Sequence, residues 1–236
     1  MFTAGVIGLC IVAAYVAGAL TERFRLGISL RQGLLYLPLK LLYRIGDGRM
    51  RLARQSEPPI VYAISHQSRL DPALMLCLLP FNTLHILDEY SAGATWLEPW
   101  RELARTIAFN PSHVFVSRRL VRHLKGKGRL AVYFQDIDES NAKAFRLYRA
   151  VARIARKADA RVVPVVIGGA SRLPFALDAT AERRLLPKLS IKVLEPLTVA
   201  ELTERSPRDQ ATQSVALFDR VEEARYSDRS AWKTAA

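Results

Sequence analysis

Short apolar runs alternate with helix-forming segments from Pro59 to Leu194, and this alternation constrains the fold more than any other feature. The clearest run is Val162–Ile167, a β-branched stretch typical of a strand buried on both faces. The segment before it, Lys143–Lys157, carries apolar side chains at near-helical spacing. The pattern predicts an α/β fold with a largely parallel sheet flanked by helices.

The other predicted elements belong to the same domain, which we place at residues 53–200, followed by a polar tail at 201–236. Extended segments are predicted at Ile60–Ile64, Leu84–Leu87, Val114–Val116, Leu130–Phe134 and Leu189–Leu194. Helices are predicted at Pro72–Leu79, Trp96–Ile107 and Arg119–Leu124, with a weak helix in the tail around Ser214–Ala224.

The first 21 residues carry no charged side chain and are long enough to cross a hydrocarbon core as a helix. Residues 21–56 then hold eight Arg or Lys residues against two acids. By the positive-inside rule, residues 1–21 are predicted to form a transmembrane or anchor helix in the cytoplasmic (inner) membrane, with the following domain in the cytoplasm. Two alternatives stay open: a signal peptide cleaved near Ala17-Gly18-Ala19, which would lack the usual basic start, and a buried core helix.

A second apolar segment lies within the basic stretch at residues 22–52. It is interrupted by Pro38, and Arg31, Lys40 and Arg44 argue against a transmembrane helix. An amphipathic helix or a kinked pair of helices lying on the bilayer fits this composition better. A core-facing helix of the globular domain is the alternative.

The formal net charge of +13 indicates an anionic partner, whether nucleic acid, an anionic membrane or an acidic protein. Nucleic acid is the weakest of these, because the basic residues flank membrane-seeking segments and no recognition motif is present. Cys10 and Cys77 both lie in apolar runs and are expected to be small buried hydrophobic residues. No Cys/His cluster has ligand spacing, so neither a metal nor another cofactor is predicted.

His66 and Asp71 form the pair that carries chemical information. A predicted strand delivers His66 to a turn, and Asp71-Pro72 is a plausible helix start, with Asp71 as the cap. A carboxylate on one ring nitrogen leaves the other nitrogen free to accept a proton. Because no protein nucleophile accompanies the pair, the hydroxyl that loses its proton is expected to belong to a substrate.

The stretch His66-Gln67-Ser68-Arg69-Leu70-Asp71 resembles the His-x4-Asp motif of the glycerolipid acyltransferases, the lysophosphatidic acid acyltransferase superfamily. The likeness runs from about Leu37 to Pro196 and is closest to the acyltransferase domain of the bifunctional 2-acylglycerophosphoethanolamine acyltransferase/acyl-ACP synthetase proteins. It implies a membrane-bound O-acyltransferase with His66 and Asp71 as its catalytic pair. The donor would be acyl-ACP or acyl-CoA, made elsewhere because the synthetase domain is absent from this sequence. The acceptor would be a lysophospholipid or related lipid.

The resemblance also implies substrate-binding residues. Ser68 lies within the first motif. Arg118, with Arg119 as an alternative, falls where the family places a cation for the acceptor phosphate, and a guanidinium suits that role because it donates two parallel hydrogen bonds. Pro164 lies in the apolar strand thought to line the acyl or acceptor site. A solvated helix start and a central core strand are the respective alternatives.

The third block departs from the family pattern. Phe134 is kept, but the usual Pro-Glu-Gly becomes Gln135-Asp136-Ile137 and the usual Arg becomes Asp138. The isoleucine would obstruct close approach of a ligand, and three acids within four residues would repel a phosphate. Either the acceptor has a different head group, or the chain is an impaired acyltransferase that acts as a lipid-binding or partner subunit.

Overall fold

The structure is a computed structural model that describes residues 2–87, 89–108, 114–135, 142–178, 180–208 and 211–233. In chain order its elements are α1 (Phe2–Leu26), α2 (Leu30–Tyr43), α3 (Met50–Gln55), β1 (Ile60–His66), α4 (Asp71–Leu78), β2 (Thr83–Leu87), α5 (Glu89–Gly93), α6 (Glu98–Arg101), β3 (Arg105–Ala108), α7 (Val114–Lys125), β4 (Arg129–Gln135), α8 (Ala142–Ala158), β5 (Arg161–Gly168), β6 (Ser190–Val193), α9 (Val199–Glu204) and α10 (Gln213–Lys233).

The described strands form one six-stranded sheet in the order β3-β2-β4-β1-β5-β6. All neighbouring strands are parallel except β6, which runs antiparallel to β5. β1 lies in the middle, between β4 and β5. The predicted α/β class with a largely parallel sheet flanked by helices is confirmed.

The sheet separates two hydrophobic cores, and alternation along β1 decides which residues face each one. Ile60, Tyr62 and Ile64 face a core closed by α2, α3 and α4. Val61 and Ala63 face a second core closed by α7, α8, α9 and α10. Because side chains alternate along a strand, His66 belongs to the first face and Ser65 to the second.

Helix α1 is the apolar N-terminal segment. Its span Gly5–Leu26 is long and apolar enough to cross a membrane, and only 11% of its most apolar window is buried against the protein. This low burial counts against a soluble core helix. Cys10 on α1 is exposed, so the expectation that both cysteines are buried is wrong for Cys10, whereas Cys77 is buried.

Helix α2 packs closely against α1 and joins it to the domain. A methyl group at Gly33 would lie 2.7 Å from the Ala19 carbonyl oxygen, so this helix crossing needs a residue without a side chain. The Gln32 amide donates to the carbonyls of Leu76 and Leu79 at the end of α4. α2 is one continuous helix through Pro38 with one face in the core, as the core-facing alternative predicted.

A cluster of ion pairs around two buried carboxylates, Glu22 and Asp47, stabilises the junction of α1 and α2. Arg25 donates to both Glu22 and Asp47, and Lys40 binds Glu22 at 2.5 Å. The Tyr36 hydroxyl donates to Asp47 at 2.5 Å. Burial alone would raise the pKa of Asp47, but the hydrogen bonds from Arg25 and Tyr36 hold it below the ordinary carboxyl value. Both acids of the basic N-terminal stretch are therefore already paired.

Two local predictions are wrong. The segment predicted as a helix over Trp96–Ile107 is a 3-10 turn, the short helix α6 and strand β3, because pairing of Ile107 with β2 overrides the helical spacing. Val114–Val116, predicted as extended, begins helix α7. The helix predicted in the tail around Ser214–Ala224 is confirmed, and it is the longer 21-residue helix α10, which packs on α8 and β5.

Candidate active site

His66 is the last residue of β1, at the carboxyl edge of the parallel sheet, where α/β folds commonly bind ligands. Its side chain is almost buried, with 4% exposed. Asp71 is the first residue of α4 and is completely buried. The four-residue turn between them brings the carboxylate back under the imidazole.

The Asp71 carboxylate is held by the turn and does not cap its helix. Its Oδ2 accepts the backbone N–H groups of Gln67 at 2.6 Å and Ser68 at 2.8 Å, and its Oδ1 accepts the Ser68 hydroxyl at 2.6 Å. Leu70 occupies the cap position without a side-chain hydrogen bond. The predicted capping role of Asp71 is therefore wrong, since the carboxylate points away from the helix axis into the turn.

His66 Nδ1 lies 3.4 Å from Asp71 Oδ2. This is ion-pair distance, but the nitrogen makes no geometrically acceptable hydrogen bond within the described part of the chain. Oδ2 already accepts two N–H groups, which explains the longer approach. Catalytic hydrogen bonds are commonly long in free enzymes and tighten when substrate binds. The arrangement orients Nδ1 toward a carboxylate and leaves Nε2 for chemistry.

A distant segment fixes the turn that joins the two residues. The N–H of Arg69 donates to the Phe175 carbonyl at 3.2 Å, and the N–H of Leu177 donates to the Gln67 carbonyl at 2.8 Å. Between these two hydrogen bonds, Ser68 and Ala176 form an isolated antiparallel β-bridge. The backbone of the turn is thus paired with residues 175–177 like a short strand. This pairing fixes the turn and, with it, the position of Asp71.

Tyr133 and His85 extend the site beneath His66. The rings of Tyr133 and His66 meet edge to face with centroids 5.7 Å apart. Burial, and secondarily the charge of Asp71, raises the pKa of Tyr133 well above its usual value. Burial lowers the pKa of His85 to about 3. Both groups are therefore neutral near pH 7, and a hydrogen bond of 2.9 Å joins the Tyr133 hydroxyl and His85 Nδ1.

The low pKa of His85 predicts that acid destabilises the fold. Below pH ~6.5 the unfolded chain binds a proton that the folded chain refuses until pH reaches about 3, so stability falls across this window. Between pH 7 and pH 5 the expected loss from this group is about 2 kcal/mol. Unfolding of the wild type and His85→Gln at both pH values measures it. The glutamine variant should lose about this much less on acidification, whereas equal losses would refute the assignment.

Comparison with known proteins gives the family. The family model described as Acyltransferase matches residues 49–168, just over half of the chain, and includes both His66 and Asp71. This chain belongs to the acyltransferase family. The resemblance to the glycerolipid acyltransferase superfamily is thereby confirmed, while the closer likeness to the bifunctional proteins stays a prediction.

The fold of this acyltransferase is similar to that of a solved enzyme, the 1-acyl-sn-glycerophosphate (LPA) acyltransferase PlsC from Thermotoga maritima. The match covers 92% of this chain and 96% of that chain, with a TM-score of 0.51 and 14% sequence identity. At this identity the likeness concerns the fold.

The substrate-binding residues predicted for this acyltransferase are not all brought to His66. Ser68 is buried and donates to Asp71, so it supports the pair. Arg118 and Arg119 are exposed on the outer face of α7, whereas the next residue, Leu120, faces the core. Asp136 lies outside the described residues.

Phe134 and Pro164 lie on the opposite face of the sheet from His66. Phe134 is completely buried and stacks on Tyr148 with ring centroids 4.4 Å apart. Pro164 pairs in register with Ala63, which faces the second core. Strand alternation puts both side chains in the packed core behind the site. Both side chains are therefore core residues, as the alternative of a central core strand predicted for Pro164.

A second candidate site lies away from His66. It is a surface cleft of about 1120 Å³ between α8, α9 and the segment that leads into α10. Four basic side chains line it, those of Arg149, Arg153, Arg156 and Lys157, and no acid–base pair is present among its lining residues. We therefore place the active site at His66. Within the described residues, no group of three or more His, Cys, Asp or Glu side chains could hold a metal.

One side chain beside the site had no signal in the sequence. Arg225 of α10 is 1% exposed, and its guanidinium reaches the ends of β1 and β4. Tyr133 and His85 could have been found from strand alternation, since both face the same core as His66. Arg225 could not, because its neighbours in space are about 90 and 160 positions away in sequence.

Proposed function

We propose that this acyltransferase transfers a fatty acyl group from a thioester, acyl-ACP or acyl-CoA, to a hydroxyl of a lysophospholipid or related lipid at the membrane. The observation that carries the proposal is the His66–Asp71 pair at the carboxyl edge of β1, with Nδ1 facing the carboxylate. The Ser68 hydroxyl is committed to Asp71, and burial raises the pKa of the Cys77 thiol. Neither group is an activated nucleophile, which supports a nucleophile supplied by the substrate.

In the proposed reaction His66 Nε2 accepts the proton of the acceptor hydroxyl as its oxygen attacks the thioester carbonyl. The tetrahedral intermediate collapses, the C–S bond breaks and the new ester remains. The leaving thiolate takes the proton back from His66 as free thiol. Asp71 stabilises the transient imidazolium and keeps Nδ1 protonated, so no acyl-enzyme, metal or other cofactor is required.

The N-terminal helices support a location at the membrane. Helix α1 supplies an exposed apolar span, and α2 presents Leu41 and Leu42 to the surroundings, 68% and 48% exposed. Glu22 and Asp47 are already paired, so the exposed Arg23, Arg31 and Arg51 of this region are available to anionic lipid. We propose that the domain faces the cytoplasm. On the cytoplasmic side of the membrane, Arg118 or Arg119 would bind the phosphate of the acceptor lipid.

The test of this function is acyl transfer by membranes or detergent-purified protein, with labelled acyl-ACP or acyl-CoA and a panel of lysolipids. Transfer that disappears in His66→Ala supports the proposal. If no combination turns over and the histidine variant is indistinguishable from wild type, the chain is instead a non-catalytic protein on this fold.

The altered third block predicts the acceptor preference. Asp136 and Asp138 should disfavour a phosphomonoester such as lysophosphatidate and tolerate a zwitterionic head group, whose amine can meet a carboxylate. Asp138→Arg should therefore raise the kcat/KM ratio of lysophosphatidate to lysophosphatidylethanolamine by about tenfold, as expected for about 1.4 kcal/mol. Asp138→Asn, which removes the charge without reversing it, should raise this ratio by a smaller factor. A wild type that already prefers lysophosphatidate and gains nothing from arginine would contradict this electrostatic argument.

A further inference from the structure

Arg225 occupies a position where a charged side chain is unexpected. On α10 it follows Leu217 and Val221 at intervals of four residues, so it lies on the helix face that packs against the sheet. It is one of the largest fully buried side chains described, at 1% exposure. A buried guanidinium must be matched by hydrogen-bond acceptors, so its partners indicate what it does.

Its partners form one rung of the parallel ladder between β1 and β4. Nε donates to the Ser65 hydroxyl at 2.9 Å, and Nη2 donates to the Phe134 carbonyl at 2.8 Å. Ser65 and Phe134 are register partners, and the next rung pairs His66 with Gln135. The guanidinium therefore clamps the two central strands immediately before His66 on one strand and before the altered third block on the other.

Glu222, one helical turn earlier, completes the site. Its carboxylate accepts Nη1 of Arg225 and is partly exposed, at 17%. The pair neutralises the buried cation and sets the direction of the guanidinium fork. A planar fork can donate to Ser65 and Phe134 at once, which an ammonium group cannot do in the same geometry.

We infer that Arg225 is a positioning residue of the active site: the C-terminal helix uses it to hold the strand ends that carry His66. It touches no reacting atom and acts through Ser65 and Phe134. The inference concerns the kinetics of the proposed acyl transfer and thus rests on the proposed function. The geometry of His66 can, however, be observed without catalysis.

The experiment compares Arg225→Lys with Arg220→Lys in the full chain. Arg220 is a matched control, because it lies on the same helix and also pairs with a glutamate three positions away, Glu223, at 2.6 Å. Arg225→Lys should lower kcat between about ten- and a hundredfold, the range expected when a catalytic group is slightly misplaced, and leave KM almost unchanged. Ser65→Ala should lower kcat less. In the double variant the two effects should not add, because both break the same clamp.

The imidazole nitrogen resonances of His66, assigned by their loss in His66→Gln, provide the second readout. They should move in Arg225→Lys and remain in place in Arg220→Lys. Equal kinetic losses in both lysine variants, or unmoved resonances in a folded Arg225→Lys, would overturn the inference. If the wild type transfers no acyl group, the proposed function fails, while the resonances still decide whether Arg225 positions His66.

Discussion

Replacing His66 with alanine is expected to lower the rate of acyl transfer by about 10²–10⁴-fold, the usual contribution of a positioned acid–base group. The reason is that the pair leaves only the imidazole to take the acceptor proton, since the Ser68 hydroxyl already donates to Asp71. Initial rates at saturating donor and acceptor measure the effect. KM for the acceptor should change little, because the proton moves only in the transition state.

The control for this variant is His123→Ala. His123 is half-buried on α7 and contacts the Arg129 carbonyl at 3.1 Å, so its loss removes an imidazole away from the site. It should leave the rate within about threefold, the effect of a modest shift below 1 kcal/mol. A folded His66→Ala protein with the activity of wild type would end the proposed mechanism.

Changing Asp71 to asparagine is expected to reduce both the rate and the stability. The carboxylate accepts three hydrogen bonds from Gln67 and Ser68, and an amide offers one oxygen together with an NH2 group that opposes a donor. One buried donor left unsatisfied costs about 1–3 kcal/mol of unfolding free energy. The rate should fall by about 10²-fold or more, because the imidazole loses the charge that orients Nδ1.

Unfolding curves and initial rates on the same preparation separate the two effects. Glu201→Gln is the matched control: this carboxylate also accepts a backbone N–H and a hydroxyl, both from Thr198, but it caps the distant helix α9. It should change stability slightly and the rate not at all. If Asp71→Asn lost stability but kept full activity, Asp71 would be a fold residue and His66 would need no partner.

Local pattern in the sequence was enough for the central strands of the sheet and for the closeness of His66 and Asp71. The β-branched run Val162–Ile167 and the apolar run before His66 are strands because only a buried, pleated position suits such stretches. The apolar run before His66 and the helix start at Asp71-Pro72 together predicted a turn that returns the carboxylate to the imidazole. Features of this kind depend on residues a few positions apart.

Contacts between distant parts of the chain decided the rest. Ile107 joined a strand although its spacing was helical, because a neighbouring strand offered backbone partners. Phe134 and Pro164 face the core on the opposite side of the sheet from His66. The sequence could not show this, because which residues of neighbouring strands share a face with His66 depends on how the strands pair. Arg225 reached the rung beside His66 only because α10 packs across the sheet, and the sequence by itself contains no trace of a hydrogen bond that spans 160 residues.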